Sequence, residues 1–152
     1  MLGILGEKER VESTVISDNV NLTARLEGLT RKFATSIIIS ADTYDRLTTR
    51  DLYVFRNLGI AKVKGKGRGM RIYEVLDGLM AADRKDRIQY LAAFAKGVEA
   101  YEGLDFARAY SIFAAILQRC PSDKTALEFY MAMCKRAIRE NFTSGELILS
   151  EK

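Results

Sequence analysis

Residues 10–40 read RVESTVISDNVNLTARLEGLTRKFATSIIIS and carry, in turn, the signals of a strand, a helix and a second strand. Residues 10–16 alternate well enough between apolar and polar side chains for a strand. Asp18 can then cap a helix over 20–33. One apolar stripe recurs along this helix at spacings of four, three and four residues: Leu22, Leu26, Leu29 and Phe33. The compact β-branched run at 36–40 predicts the next strand.

Short elements of both kinds continue to residue 76. Ser40 or Asp42 starts a short predicted helix that runs through Leu47. Further strands are predicted at 52–57, 60–64 and 70–76. The glycine-broken loop 65–69 separates the last two, which is the pattern of a hairpin. The first half of the chain therefore predicts an α+β arrangement.

Beyond Asp83 the apolar periodicity is that of helices alone. The first predicted helix ends at Gly103, a natural left-handed C-cap, and the second must stop before Pro121. Ser122 or Asp123 starts a third. Its apolar face comprises Leu127, Tyr130, Met131, Cys134 and Ile138. The tail has no clear assignment.

Composition bounds the class of protein. The 152 residues are 48% apolar and 29% charged, which is typical of a globular domain with a real core. No apolar run approaches the ~18 residues that span a bilayer, and no secretory signal is present, so a cytoplasmic location is predicted. Histidine is absent, and Cys120 and Cys134 lack C-x-x-C spacing. A zinc site or a Cys/His catalytic set is therefore excluded, and both thiols are predicted to be buried.

A basic stretch lies between Arg56 and Arg71 and contains no acid. Its cations are Arg56, Lys62, Lys64, Lys66, Arg68 and Arg71. Such a stretch predicts a local positive potential that attracts phosphate, from a nucleotide or a nucleic acid. The aromatic residues near this stretch that could stack on bases are limited to Phe55 and Tyr73, which disfavours nucleic-acid binding. The sequence also contains no Walker-type phosphate-binding loop.

Two segments resemble the class III adenylate/guanylate cyclase catalytic domain. Residues 6–27 read GEKERVESTVISDNVNLTARLE, similar to the family signature G-E-x-x-R-x-x-x-T-V-I-G-D-x-V-N-L-A-A-R-L-E. Residues 63–66 match the family's V-K-G-K. The two occur in family order, with IIIS at 37–40 between them and IYEVL at 72–76 closing the domain. The resemblance covers roughly residues 1–77.

The resemblance assigns catalytic roles to Asn21 and Arg25. In the family these positions stabilise the transition state, the Asn on the ribose and the Arg on the phosphate, as the 3′-oxygen attacks the α-phosphorus. Their spacing of four on one helix would place them side by side. Without the resemblance, a capping Asn and a solvated Arg would be the ordinary interpretation.

The resemblance also implies a set of substrate-binding residues. Thr14 occupies the purine-reading position and mildly favours adenine. Lys64 matches the family lysine that contacts the terminal phosphates from a flexible glycine-flanked loop. Lys66 and Asp18 complete the predicted substrate-binding set. Ser17 stands where the family has Gly, which alters the turn before Asp18.

Metal ligands are not expected within this chain. Family members hold two divalent ions with two aspartates, both upstream of the segment with which this sequence begins, and those ions are central to the chemistry. We therefore predict no metal site and no cofactor for the chain alone, with Mg or Mn bound only in a complete cyclase domain. Weak ATP binding at most is expected, and activity of this phosphorus–oxygen lyase family is not expected from the isolated chain.

The predicted architecture is a partial ferredoxin-like cyclase sheet with packed helices, followed by an all-α TPR-like hairpin plus one helix. The ranges are 1–77 for the C-terminal half of a cyclase domain, 78–85 for a linker, 86–140 for the helical segment and 141–152 for the tail. The TPR-like pattern rests on Gly97, Tyr101, Gly103, Asp105, Phe106, Ala109, Phe113 and Pro121. A plain three-helix cap is an equal alternative for this segment.

An incomplete sheet leaves apolar edges and faces uncovered. We therefore predict a homodimer or higher homo-oligomer, formed by sheet extension, strand exchange or face packing, or pairing with a partner cyclase domain.

Three functions are compatible with the sequence. The leading hypothesis is a truncated cyclase-homology module in cyclic-nucleotide signalling, inactive alone, that dimerises or complements a partner. The second is the C-terminal portion of a genuine adenylate cyclase that converts ATP to cyclic AMP and pyrophosphate. Nucleic-acid binding through the basic stretch ranks third.

Overall fold

The computed structural model describes residues 24–63 and 67–149. Their fold is α+β, as predicted, and the predicted strand at 10–16 lies outside the described residues. The elements in chain order are α1 (24–33), β1 (Ile38–Ser40), α2 (Ala41–Arg46), β2 (Phe55–Val63), β3 (Met70–Val75), α3 (Ala81–Gln89), α4 (Leu91–Glu102), α5 (Phe106–Leu117), α6 (Lys124–Arg139) and β4 (Leu147–Leu149). Short 3₁₀ turns lie at Arg50–Leu52, Leu76–Gly78 and Pro121–Asp123. Within these residues, no helix has the length and apolar character that crossing a bilayer requires.

Four strands form one mixed sheet in the order β1-β3-β2-β4. β3 pairs antiparallel with β1 and β2, which confirms the predicted hairpin, whereas β4 pairs parallel with β2. The strands predicted at 52–57 and 60–64 are one strand, because a bulge between Asn57 and Gly59 lets pairing with β3 continue. Gly59 has φ +89°, a conformation that glycine adopts without strain.

The buried stripe of α1 and the start of α2 are confirmed, whereas the predicted Asp18 cap lies outside the described residues. Leu29 and Phe33 of the predicted stripe are buried, Leu26 packs against the core, and Leu22 lies outside the described residues. Ser40 caps α2, because its Oγ accepts a hydrogen bond from the Thr43 N–H at 3.2 Å.

The helical half differs from its prediction at two boundaries. The first predicted helix is two helices, α3 and α4, that meet at Tyr90, and α3 begins at Ala81, inside the range assigned to a linker. The left-handed cap predicted at Gly103 is wrong. Gly103 has φ −79°, and Leu104 adopts the left-handed conformation with φ +66°. The Asp105 N–H then bonds to the Ala100 carbonyl at 2.9 Å, which closes the end of α4.

α6 begins at Lys124, directly after Asp123, which is one of the two residues at which the sequence predicts its start. Its buried face is Ala126, Leu127, Tyr130, Met133, Cys134 and Ala137. Ile138, which was expected on this face, is 53% exposed, whereas Met131 is half-buried. The buried face of α6 is therefore rotated from the predicted one toward small residues, which the spacing of large apolar side chains does not reveal.

One apolar core joins the sheet to the helices. Leu58 of β2 and Ile72 of β3 belong to the same buried cluster as residues of α4, α5 and α6. Phe33 at the end of α1 packs against α6, with ring centroids 5.1 Å from Phe129 and 5.7 Å from Tyr130. Burial of apolar surface therefore holds the two halves of the described chain together.

The tail adds an element that the sequence did not indicate. Leu147 and Leu149 of β4 are buried, and β4 pairs with Ala61–Val63. A Cβ on Gly145 would lie 2.4 Å from the Glu102 Cα, so only glycine allows the tail to pass this close to the end of α4.

Both cysteines are buried, as predicted. Burial raises the pKa of Cys134 to about 12, so its thiol stays protonated at pH 8. Because the thiolate is the reactive form of Cys134 and the Cys120 side chain is only 1% exposed, neither cysteine should react with DTNB in the native protein, and both should react once the chain is unfolded in guanidinium. A fast native-state reaction of one equivalent would contradict this packing.

Candidate functional site

The predicted site residues fall mostly outside the described residues. Arg25 lies on α1 and is half-buried. The others lie outside: Thr14, Asp18, Asn21, Lys64 and Lys66. How these residues lie relative to one another therefore stays a sequence-based prediction. The structure describes only how the helix that carries Arg25 is held in place.

α1 is held by its buried side. Leu29, one turn after Arg25, is 3% exposed, and Phe33 is fully buried against α6. Side chains four apart on a helix lie on the same side, so Arg25 stands at the margin of the core that Leu29 enters. The orientation of the helix that carries Arg25 therefore depends on α6, in the second half of the chain.

A buried ion cluster lies between the sheet and the helices. Its members, Arg56, Glu74, Arg87 and Asp123, are each at most 3% exposed. Arg56 Nε donates to Glu74 Oε2 at 2.6 Å, and its two terminal nitrogens donate to the Asp123 carboxylate at 2.5 and 3.2 Å. The forked guanidinium thus bridges the two carboxylates, which is the geometry in which arginine binds most strongly.

Arg87 of α3 completes the ion cluster. It donates to Glu74 Oε1 and, at 2.8 Å, to the Ala34 carbonyl at the end of α1. Its Nε lies 3.2 Å from Asp123 Oδ1 as an ion pair without hydrogen-bond geometry. Two cations and two anions balance, and they connect β2, β3, α3, the turn before α6 and the end of α1.

Arg56 keeps its charge despite burial. Burial by itself would lower the pKa of this guanidinium, but Glu74 and Asp123 more than offset that effect and raise it above its ordinary value. The guanidinium carbon also lies 4.1 Å from the ring centroid of Phe94, in a cation–π contact. Removing Arg56 would therefore leave the two buried carboxylates without the cation that they share.

Three of the six cations in the basic stretch are paired with acids, which lowers the positive potential that the sequence predicts there. Arg56 is buried in the ion cluster. Arg71 makes a two-point ion pair with Glu102 at 2.9 and 3.3 Å, and Lys62 lies 3.7 Å from Glu146. Arg68 is exposed, and Lys64 and Lys66 lie outside the described residues. The sequence did not indicate this pairing, because the acids come from β3, the turn before α6, α4 and the tail.

Sequence reasoning missed the ion cluster, although a signal for it was present. Arg56 lies two residues before Leu58 on β2, and Glu74 lies two residues after Ile72 on β3. Alternate residues of a strand share a face, so both charges had to lie on the core face of adjacent strands. The opposite charges also stand in register, Arg56 opposite Glu74.

Tyr130 anchors β2 directly. Its hydroxyl donates to the Leu58 carbonyl at 2.5 Å, and burial raises the pKa of this phenol well above its ordinary value. Leu58 directly precedes the glycine of the bulge. The contact therefore fixes the strand at its irregular point.

Tyr130→Phe is expected to lower the free energy of unfolding by about 1–3 kcal/mol, because the buried Leu58 carbonyl would lose this donor. Urea denaturation measures the change. Tyr110→Phe is the matched control, since Tyr110 is half-buried and packs under Lys135. Equal stability of the two variants would show that the hydroxyl bond contributes nothing.

Acids in the described ranges do not form a candidate metal centre. Among residues 24–63 and 67–149, no group of three or more Asp, Glu, Cys or His side chains is arranged to hold an ion. The two buried carboxylates, Glu74 and Asp123, are engaged by arginines instead.

Comparison with known proteins gives matches to adenylate cyclases. The chain is 31% identical over 140 residues to the adenylate cyclase named "terminal-differentiation specific" of Dictyostelium discoideum. It is 36% identical over 83 residues to adenylate cyclase 1 of Rhizobium meliloti strain 1021, and 37% identical over 76 residues to an adenylate cyclase of Anabaena cylindrica. The chain is related to adenylate cyclases. No protein-family model and no solved structure matches it.

These relatives are much longer than the chain. The matches span 6%, 12% and 15% of their lengths, in the same order. The Dictyostelium match covers 91% of this chain, whereas the other two cover 55% and 49%. A match over 91% necessarily includes most of the helical half, so the sheet and these helices have a joint counterpart in one cyclase-named protein.

Proposed function

We propose that the chain is a class III adenylate cyclase homology module, corresponding to the C-terminal half of the catalytic domain, that acts in cyclic-nucleotide signalling. The observation that carries the proposal is the 31–37% identity to proteins named adenylate cyclase, together with the signature at 6–27 and V-K-G-K at 63–66. In this proposal the metal-holding aspartates belong to another segment or chain.

Asn21 and Arg25 would act on the nucleotide in this module. The 3′-oxygen of ATP attacks the α-phosphorus, pyrophosphate leaves, and the 3′-proton passes to solvent or a base. Asn21 would orient the ribose, while the Arg25 guanidinium would spread the charge that develops on the α-phosphate. Thr14 would read the purine, Asp18 would line the same pocket, and Lys64 with Lys66 would hold the terminal phosphates.

The helical half would serve as a scaffold for this machinery. Phe33 and the Arg87 bond to Ala34 fix the end of α1, and α1 carries Arg25. We interpret α4 and α5 as a TPR-like pair, supported by the close contact of Gly97, where a Cβ would lie 2.7 Å from Phe113 Cε1. We interpret the sheet as part of a ferredoxin-like one.

Pairing with a second chain is part of the proposal. β1 lies at an edge of the described sheet, and Ile37, which directly precedes it, is a large apolar side chain that is 42% exposed. A sheet edge next to an exposed apolar group favours association, by strand exchange, by face packing or with a partner cyclase domain. Sedimentation velocity at several concentrations tests this, and a monomer at every concentration would contradict it.

Cyclic AMP formation by the purified chain separates the two leading functions. With Mn²⁺ and ATP, we expect no cyclic AMP above the protein-free background, because the metal-binding aspartates are supplied elsewhere. Robust turnover that is lost in Arg25→Ala would instead support the second candidate, a fragment that is itself an active adenylate cyclase. The Dictyostelium match over 91% of the chain is the observation that keeps this candidate open.

A further inference from the structure

A groove of about 350 Å³ lies between α4 and α5. Its floor is mainly apolar, and its walls include one cation from each helix. The side chains that define it are Tyr90, Ala93 and Lys96 on one wall and Ile112, Ile116 and Arg119 on the other. It is separate from the core face of α4, where Phe94 and Val98 are buried.

The length of the groove suits two turns of a helix. The wall from Tyr90 to Lys96 and the wall from Ile112 to Arg119 each extend about 10 Å at 1.5 Å per residue. The distance between the two walls is set by the packing of α4 on α5 beneath the groove, where Gly97 lies against the Phe113 ring. The groove is therefore preformed, which favours binding since little ordering is needed.

The charges of the groove point to an acidic occupant. Lys96 and Arg119 are exposed, and neither makes an ion pair with another residue in the described part of the chain. The described residues that line the groove include no acid, and the nearest acid to Lys96 on α4 is Glu99, three residues further along the helix. A positive rim around an apolar floor attracts carboxylates at the edge and apolar side chains at the centre.

We propose that this groove binds an acidic amphipathic helical segment of a protein partner. Apolar side chains of that segment pack over Ala93, Ile112 and Ile116, and its carboxylates pair with Lys96 and Arg119. Helix-in-groove recognition uses this division between apolar anchors and flanking charges. The inference concerns docking and holds whether or not the chain takes part in cyclase chemistry.

Two fluorescein-labelled 14-residue peptides with one common leucine pattern provide the test, one flanked by Glu and the other by Lys. Fluorescence anisotropy is expected to show at least about tenfold tighter binding of the Glu peptide, a preference that falls as salt is added. The Lys96→Glu/Arg119→Glu variant should reverse the preference. Arg108→Glu/Lys135→Glu, with the same charge change outside the groove, should leave it unchanged.

A second variant tests the groove without changing its charge. Ala115 is an exposed residue of the groove, and Ala115→Trp should fill it and abolish binding without lowering the unfolding temperature. The proposal is overturned by equal affinity for both peptides, by no binding up to about 1 mM, or by a charge-reversed variant that behaves as the wild type. It is equally overturned if phosphatidylserine vesicles, or a second copy of the chain, occupy the groove in preference to the Glu peptide.

Discussion

Arg56→Ala is expected to lower the free energy of unfolding by about 3–5 kcal/mol, because it leaves Glu74 and Asp123 buried without their shared cation. It also removes the cation–π contact with Phe94. A domain of this size has a total stability of about 5–15 kcal/mol, so the variant should lose a large part of it. Urea denaturation followed by circular dichroism measures the change.

The control for Arg56→Ala is Arg68→Ala, the exposed cation of the same basic stretch. Its effect should stay within about 0.5 kcal/mol. A double-mutant cycle with Glu74→Ala tests the pairing itself, since the double variant should lose clearly less than the sum of the single variants. Additive losses, or a small effect of Arg56→Ala, would show that the ion cluster does not hold the sheet to the helices.

Phe33→Ala is expected to cost about 3–5 kcal/mol, the range for emptying a fully buried aromatic site. Phe33 links α1 to α6 through its ring contacts with Phe129 and Tyr130. The loss should appear as one cooperative transition at lower denaturant, because the sheet and the helices share a core.

Leu52→Ala is the matched control for this substitution, since Leu52 is a large apolar side chain that is 71% exposed. It should leave the midpoint nearly unchanged. If Phe33→Ala instead produced two separate transitions, the helical half would be an independent unit and its role as a scaffold for α1 would be refuted.

Local sequence patterns were sufficient to predict the elements whose signals lie within one helical turn or one strand. The stripe through Leu29 and Phe33 predicted the buried face of α1, and Ser40 predicted the start of α2. Pro121 likewise limited α5, which ends at Leu117. Each of these depends on contacts between near neighbours in sequence, and such contacts can be inferred from spacing.

Features that depend on distant partners could not be predicted in the same way. The sequence predicted Arg56 and Lys62 to be parts of a phosphate-attracting patch. In the fold, Asp123 lies beside Arg56 and Glu146 lies beside Lys62. The strand at Leu147–Leu149 is too short to have a periodicity, and its partner is β2, about 85 residues earlier in the chain. The candidate site was inferred by resemblance alone, and of its residues only Arg25 lies in the described ranges.

The central claim is that this chain presents Asn21 and Arg25 to a nucleotide whose metal ions are held by another domain. The direct test mixes the purified chain with an adenylate cyclase catalytic domain that retains its metal-binding aspartates but carries alanine at its own transition-state Asn and Arg. Cyclic AMP formed from Mn²⁺-ATP by the mixture is the readout.

We expect the mixture to produce cyclic AMP while neither protein does so alone. Arg25→Ala in this chain should reduce the rate about 100-fold or more, the typical effect of removing a group that stabilises transition-state charge. Arg31→Ala, which removes an exposed cation from the same helix without touching the contact with α6, should leave the rate unchanged. A mixture that forms no cyclic AMP, or one whose rate is the same with Arg25→Ala, would contradict the claim.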